Sequence, residues 1–458
     1  MQGSVIRRGV LLATLGACAL SLAARGQEPG PLSTRGPWLV DDEGRVVILH
    51  GANASNRSKS PPFEPDLAEG DTERWQKMGF SVVRLLVLWE GVEPERGRYD
   101  DGYLARIGRA IDRFGGAGVR VILDMHQDLW SRHLFGGDGA PEWAVEKGPY
   151  KPLAPWWLNY DSPAVRANFD RFWTSADLQE HYALAWERVA KSLGTHPAVI
   201  GYDLMNEPHP GTARPGEFER ERYVPWLARL ADRLQAITPD RIVFLEPVTL
   251  NPTPIHLYAG LAGPRRVWAP HYYDPLVETT MAYRSPFPAR VAIGLFSRRA
   301  LAAGFPLFFG EWGMVQGWDR SADYVRDMAS LFDRYRAGWC WWAWDREDGA
   351  GFGLLAADGS LGPAGKWLVR AYPLATAGTP RSWRCDPAAG TFEMTWTNDS
   401  AIQLPTEIVL PPDVFGPRGG RVARSDGVAS TEYDASRWAL LVTASGDATE
   451  CRIAIERE

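Results

Sequence analysis

Two glutamates in this chain carry the clearest chemical signal: Glu207 in Asn206-Glu207-Pro208, and Glu311 in Gly310-Glu311-Trp312-Gly313. Each follows an apolar run of strand character. Glycoside hydrolysis needs such a pair. One carboxyl group protonates the leaving oxygen, and the other attacks the anomeric carbon or activates water. A lone Asn-Glu-Pro is a weak match. Two glutamates at separate predicted strand ends, far apart in sequence, make a much stronger signal. Other polar side chains gather at the ends of the same kind of run. Arg84 lies in the second, Asp124-Met125-His126-Gln127-Asp128 closes the third, His271-Tyr272-Tyr273 the sixth, and Trp342, Trp344 and Asp345 the eighth. Arg84 and Tyr273 are suited to hold a nucleophilic carboxylate as an anion, and His271 to set the proton affinity of an acid. Asn206 is placed to hydrogen-bond a sugar 2-hydroxyl. Asp124, His126 and Asp128 alternate onto one strand face. That spacing also occurs in metal sites, but no strand offers the remaining ligands, so substrate contact is the expected role and neither metal nor cofactor is expected.

The elements that must position these groups read as alternating strands and helices. Apolar runs at 46–50, 82–89, 119–126, 199–206, 242–246, 267–272, 306–311 and 339–344 are the strands. Stretches of helical period lie between most of them, including 103–114, 178–193, 220–237 and 321–335. Near-continuous apolar strands alternating with helices imply a buried parallel sheet. Eight units fit an α/β fold of the (β/α)8 TIM-barrel type, whose reactive side chains sit at the C-terminal strand ends. No Gly-rich nucleotide fingerprint follows the first strand. After about Gly378 short alternating runs separated by Gly, Pro, Asp and Asn indicate a small C-terminal antiparallel β-sandwich. The expected division is an export signal at 1–26, a catalytic barrel at 36–378 and the sandwich at 379–458.

Composition narrows the function classes. The chain has 458 residues, 45% hydrophobic and 23% charged, which excludes extensive disorder. A net charge of −6 argues against a nucleic-acid partner. The 21 Trp suit sugar-stacking clefts and equally suit a large core. Arg7 and Arg8, the apolar run 10–20 and small residues near Gly26 read as a secretory signal. Leu15-Gly16-Ala17-Cys18 offers an alternative in which Cys18 carries a lipid anchor. The expected location is therefore exported, secreted or periplasmic. Cys385 and Cys451 bracket the sandwich and are a candidate pair in an oxidising compartment.

Asn206-Glu207-Pro208, His271-Tyr272-Tyr273 and Gly310-Glu311-Trp312-Gly313 resemble glycoside hydrolase family 5, a retaining clan of (β/α)8 enzymes. The resemblance covers about 38–375. It narrows to the endoglycoceramidase and glycosylceramidase branch through Leu123-Asp124-Met125-His126-Gln127-Asp128, Tyr202-Asp203-Leu204-Met205-Asn206-Glu207-Pro208, Asn168-Phe169-Asp170-Arg171-Phe172-Trp173 and Ala54-Ser55-Asn56-Arg57-Ser58-Lys59-Ser60. It implies Glu207 as acid/base and Glu311 as nucleophile. Arg84, His126, Asn206, His271, Tyr273 and Trp342 would surround the sugar at the cleavage point. Lys59, Asp128 and one of Trp156 or Trp157 would contact sugar. The implied substrate is a glycosphingolipid or related β-glycoside, cut between sugar and ceramide, with transient membrane-surface contact to reach it. Such a substrate needs a cleft with an apolar half. Residues at 129–130, 134–135, 275–277 and 285–288 are candidates for it. A polysaccharide endo-β-glucanase or mannanase of the same clan is the alternative enzyme. A non-catalytic carbohydrate-binding protein and a surface adhesion protein are the non-enzymatic ones.

Overall fold

The computed structural model describes residues 30–458 apart from 135, 155, 249–257 and 347–350. The expected export signal at 1–26 with Cys18, and also Phe135 and His256, lie outside the described residues. Three short strands open the fold: β1 (Leu32–Arg35), β2 (Trp38–Asp41) and β3 (Val46–Val47). Eight parallel strands follow: β4 (His50–Ala54), β5 (Val82–Leu88), β6 (Arg120–His126), β7 (Val199–Asp203), β8 (Ile242–Leu245), β9 (Arg266–Trp268), β10 (Phe308–Trp312) and β11 (Gly338–Trp341). They pair in the order β10-β11-β4-β5-β6-β7-β8-β9. Parallel bridges Trp268↔Leu307 and Tyr272↔Trp312 join β9 to β10 and close the barrel.

The pleat sorts each strand between two environments. On β5, Val83, Leu85 and Val87 pack outward with the helix layer, whereas Val82 joins Ile122, Ile200, Ile242 and Phe308 in a separate apolar layer. Arg84, two residues beyond Val82, therefore enters the barrel interior just above that layer. The helix Asp101–Gly116 shows why its segment folds as it does. The Asp100 side chain accepts from Tyr103 N at 2.9 Å, and Tyr103, Leu104, Ile107, Ala110, Ile111 and Phe114 form its buried stripe.

The first barrel strand departs from expectation. The run 46–50 reads as that strand, yet Val46 and Val47 pair antiparallel with β2 and with a later strand, and the barrel takes His50–Ala54. Local propensity favours the β-branched run. Barrel closure instead selects a segment that can approach β5 closely. A Cβ on Gly51 would lie 1.8 Å from Val82 O, so only glycine fits there.

The C-terminal strands are β12 (Tyr372–Thr376), β13 (Gly378–Asp386), β14 (Thr391–Asn398), β15 (Thr406–Val409), β16 (Arg421–Asp426), β17 (Val428–Asp434), β18 (Ala439–Ala444) and β19 (Glu450–Glu456). They form two antiparallel sheets, β1-β2-β3-β12-β15-β18-β17 and β13-β14-β19-β16. The first sheet thus includes three strands from the other end of the chain. Leu32, Leu39, Val47 and Ala375 belong to the same apolar cluster as Val82 and Ile122, so this sheet covers the barrel floor. Tyr372 Oη reaches Gly79 O at 2.9 Å and Ser81 Oγ at 2.8 Å, and Arg370 pairs with Asp333 in a fully buried contact. Cys385 and Cys451 are free, buried thiols. No described helix is long and apolar enough to cross a membrane.

The Arg370–Asp333 pair ties the sandwich to the barrel helix Ser321–Tyr335. Arg370→Ala leaves a buried carboxyl group without its cation and should cost about 3 kcal/mol. Urea unfolding measures it, and a loss below about 1 kcal/mol would show that the pair does not hold the two parts together.

Candidate active site

The site is built around Arg84, which is fully buried. Its Nη1 donates to Glu311 Oε1 at 2.7 Å and Asn53 Oδ1 at 3.1 Å, its Nε to Asp203 Oδ2 at 3.0 Å, and its Nη2 to Asn206 Oδ1 at 2.9 Å. Asp124 Oδ1 lies 3.0 Å and Glu246 Oε2 3.8 Å from the same guanidinium. One cation thus faces four carboxyl groups. It cannot balance four negative charges in a buried space, so some of the acids hold protons more tightly than usual. Burial pushes Asp203 up to about 7 although Arg84 opposes it, and burial together with Asp203 pushes Glu246 well above the carboxylate range.

Glu311 on β10 meets two donors. Besides Arg84, Tyr273 Oη donates to its Oε2 at 2.9 Å. Glu207 sits at the end of the segment after β7 with φ +42°, a conformation non-glycine residues seldom adopt. A hydrogen-bond brace holds that backbone. Gln127 Nε2 donates to Asn206 O at 2.7 Å and Glu207 O at 3.0 Å, and Asn206 Nδ2 returns to Gln127 O at 3.0 Å. The loops after β6 and β7 are thereby fixed to each other.

Glu207 and Glu311 converge on the same mouth. A carboxylate oxygen of each, together with a ring nitrogen of His271, falls within 4.8 Å of the others. That close approach fits direct attack by one carboxylate, as in the closely spaced carboxyl pair of a retaining enzyme. His271 Nδ1 lies 3.1 Å from Glu207 Oε1 and 3.5 Å from Glu311 Oε2, with Nε2 3.1 Å from Glu246 Oε1. Burial lowers His271 to about 4, so the ring is neutral at physiological pH. Burial first, and Asp128 second, raise Glu207 to about 7. This carboxyl group can therefore hold a proton near neutrality and release it to a leaving oxygen.

A second charged group lines the other side of the mouth. Lys59 hydrogen-bonds Asp128, and its ammonium lies 4.2 Å above the Trp342 ring. Trp342 stacks on His126 at 5.3 Å and 9°. His126 Nδ1 is 2.6 Å from Asp124 Oδ2, and its Nε2 is 3.6 Å from Asp128 Oδ2. Burial works against charge on His126, yet Asp124 outweighs it and raises the ring to about 10. Burial likewise opposes charge on Asp128, and Lys59 with His126 overcomes it, holding this carboxyl group below the ordinary range. Lys59, His126 and Asp128 thus form a fully charged wall. His126, Asp128 and Asp138 could also converge on a cation, but Lys59 already occupies that space with its own charge.

The structure brings Lys59, Arg84, His126, Asp128, Asn206, Glu207, His271, Tyr273, Glu311 and Trp342 into one continuous network. Trp156 and Trp157 lie on the rim at 47% and 38% exposure, whereas Trp339, Trp341 and Trp344 are buried core. Several participants carried no distinct sequence signal. Asn53, Asp203 and Glu246 lie on or just beyond barrel strands, and strand parity could have pointed to them. Tyr160, from the short turn Trp156–Asp161, had no motif at all. Its hydroxyl oxygen lies 2.9 Å from Asp128 Oδ1 and 3.0 Å from Glu207 Oε2. Of the residues expected on an apolar half of the cleft, Leu129, Trp130 and Leu134 are buried packing, but Leu276 and Phe287 are each 60% exposed.

A closed (β/α)8 barrel with two close carboxyl groups at its C-terminal mouth, one charge-paired and one proton-holding, defines a retaining glycoside hydrolase. Residues 40–348 match the cellulase family, glycosyl hydrolase family 5, and residues 370–455 match the glycoside hydrolase family 5 C-terminal domain. The chain belongs to glycosyl hydrolase family 5. It is 31% identical over 448 residues to endoglycoceramidase I of Rhodococcus hoagii, covering 91% of this chain and 87% of the relative. The solved endo-glycoceramidase II from Rhodococcus sp. in complex with ganglioside GM3 superposes with a TM-score of 0.82 at 29% identity, covering 93% of this chain and all of that one. The same enzyme as a lactosyl-enzyme intermediate gives a TM-score of 0.80 at 29% identity, over 92% and 99% of the two chains.

Glu207 also links pH to stability. Its carboxyl group moves from 4.5 to about 7 on folding. The native state therefore gains from holding this proton below about pH 4, and loses that gain as pH rises through 7. Glu207→Gln removes the dependence. The variant should gain about 1–3 kcal/mol over the parent between pH 4 and pH 8. Thermal melts across that range check it, and a gap that stays constant would contradict the raised proton affinity.

Proposed function

We propose that this enzyme hydrolyses the β-glycosidic bond between the reducing-end sugar and the ceramide of a glycosphingolipid. The observation that carries this reading is end-to-end similarity, through barrel and sandwich alike, to proteins named for that reaction. The site supplies the chemistry. Glu311 attacks the anomeric carbon while Glu207 gives its proton to the leaving ceramide oxygen, leaving a glycosyl ester on Glu311. Glu207, now a carboxylate, takes a proton from water, whose oxygen attacks the anomeric carbon and releases Glu311. Arg84 and Tyr273 hold the nucleophile in place and receive the carboxylate again when the ester breaks. Neutral His271 lies against the acid without adding a second positive charge. Asn206, fixed by Arg84 and Gln127, presents its amide to the sugar 2-hydroxyl. Lys59, Asp128, His126 and Trp342 make the polar, sugar-facing wall.

The mouth also suits an amphipathic substrate. Trp156 and Trp157 supply aromatic surface on the rim beside the charged wall, and the exposed Leu276 and Phe287 supply apolar surface for the lipid or the membrane that carries it. An enzyme acting on such lipids fits export, by the signal at 1–26 or by lipidation at Cys18.

Lipid-product analysis with glucosylceramide, a ganglioside and carboxymethyl-cellulose tests the substrate class. The expected result is free ceramide and an intact glycan from at least one glycolipid. Activity on the polymer alone would reject the proposal. Glu311→Gln should lower kcat by roughly 10⁴-fold or more while retaining substrate binding, because general-acid assistance alone supplies only about 10²–10⁴. Full turnover in that variant would remove Glu311 from the nucleophile role.

A further inference from the structure

Tyr160 lies between two carboxyl groups and has one hydrogen to give. Its oxygen is 2.9 Å from Asp128 Oδ1 and 3.0 Å from Glu207 Oε2. The residue is buried at 2% exposure, with its ring stacked on His209 at 5.8 Å and 24°. No freedom remains for the hydroxyl to turn to bulk solvent. It can donate to Asp128 or to Glu207, and it cannot donate to both. If both acids were ionised, one carboxylate oxygen would face the lone pairs of the tyrosine with no hydrogen between them.

We infer that Tyr160 is a positioning residue that passes the charge of Asp128 to Glu207 and keeps the proton on Glu207 before reaction. This rests on the reading of Glu207 as acid/base. Asp128 has the stronger claim on the hydroxyl hydrogen, because Lys59 and His126 hold it as a carboxylate. With that hydrogen committed, the tyrosine oxygen is free to accept, and a protonated Glu207 completes the chain Glu207-to-Tyr160-to-Asp128. The protonated state thus has two hydrogen bonds, one of them to a charged acceptor. Ionised Glu207 can only draw the hydrogen away from Asp128, which leaves one. The difference is a single hydrogen bond in favour of the acid form.

The remaining groups around Glu207 do not supply this link. His271 lies 3.1 Å away on the opposite oxygen and is neutral, so it neither repels nor stabilises a charge strongly. Burial raises the proton affinity of Glu246 and of Asp138 as well, and Glu311 is paired with Arg84, so none of the three responds to what stands at 160. Their contribution is the same in the parent and in a tyrosine variant. His126 and Lys59 act on Glu207 across Asp128, and His209 is neutral, held down to about 4 by burial. A Tyr160 hydrogen donated to Glu207 would by itself favour the anion. It is the commitment of that hydrogen to Asp128 that reverses the sign, and among the described residues Tyr160 is the group that links the two acids in this way.

The test is the pH dependence of kcat/KM for phenyl β-lactoside, whose leaving group needs protonation. Tyr160→Phe keeps the ring and its packing. It should move the basic limb down by about half a pH unit, the equivalent of one net hydrogen bond. Asp128→Asn leaves Tyr160 in place but frees its hydrogen for Glu207, and should move the same limb down as well. In the Asp128→Asn background, Tyr160→Phe should have no further downward effect. A purely structural tyrosine would lower activity at every pH and leave the limb in place. An unmoved or raised limb in Tyr160→Phe, or two downward shifts that add, would overturn the proposal. Glu207→Ala separates the two readings. With azide and a dinitrophenyl β-lactoside it should yield a β-glycosyl azide. Without that rescue the acid/base role of Glu207 fails and takes this inference with it. With rescue and an unmoved limb, only the role of Tyr160 fails.

Discussion

The architecture of the site depends on placing one guanidinium inside a barrel that is otherwise apolar at that depth. Arg84 stands above the Val82, Ile122, Ile200 and Ile242 layer and is fully removed from water. Such a cation persists only with charged or polar partners on nearly every N–H. Asn53, Asp203, Asn206 and Glu311 provide them from β4, β7, the segment after it, and β10. The same contacts that satisfy Arg84 therefore aim Glu311 and Asn206. Burial in the cluster also raises the proton affinity of Asp203 and Glu246, so the guanidinium's charge is left for Asp124 and for Glu311 at the mouth.

The mouth is divided into two electrostatic halves. On one side Arg84 and Tyr273 direct donors at Glu311. On the other, Lys59, Asp128 and His126 form a salt-linked wall stacked against Trp342. Glu207 lies between them, beside a neutral imidazole and within reach of a tyrosine already claimed by Asp128. Two glutamates of identical chemistry thus meet different surroundings: Glu311 faces two donors, whereas burial and Asp128 raise the proton affinity of Glu207. The left-handed backbone of Glu207 and the Gln127 brace bring the second glutamate within a few ångströms of the first.

The sandwich belongs to this design as more than an appendage. Its larger sheet draws β1–β3 from the start of the described chain and covers the apolar floor of the barrel, the end opposite the catalytic glutamates. That asymmetry explains why the two ends of the barrel differ so sharply. One is sealed by Leu39, Val47 and Ala375, and the other carries the polar network around Arg84, Glu207 and Glu311.

The (β/α)8 architecture, the glutamate pair and most residues of the polar network were legible in the sequence. Their signals are local: apolar runs of strand length, helical period between them, and charged residues where those runs stop. Val46-Val47 misled because β-branched pairs suit any sheet, and nothing local distinguishes a barrel strand from a sandwich strand. Gly51 became decisive only once β5 lay against it. The tertiary structure alone decided which of Trp339–Trp344 face the cavity, that Leu129 and Trp130 are packing, and that Tyr160, from a turn without a motif, stands between Asp128 and Glu207. Residue type and periodicity determine which groups are available for chemistry. Hydrogen-bond distances and shared desolvation set which of them hold protons, and those depend on contacts between segments far apart along the chain.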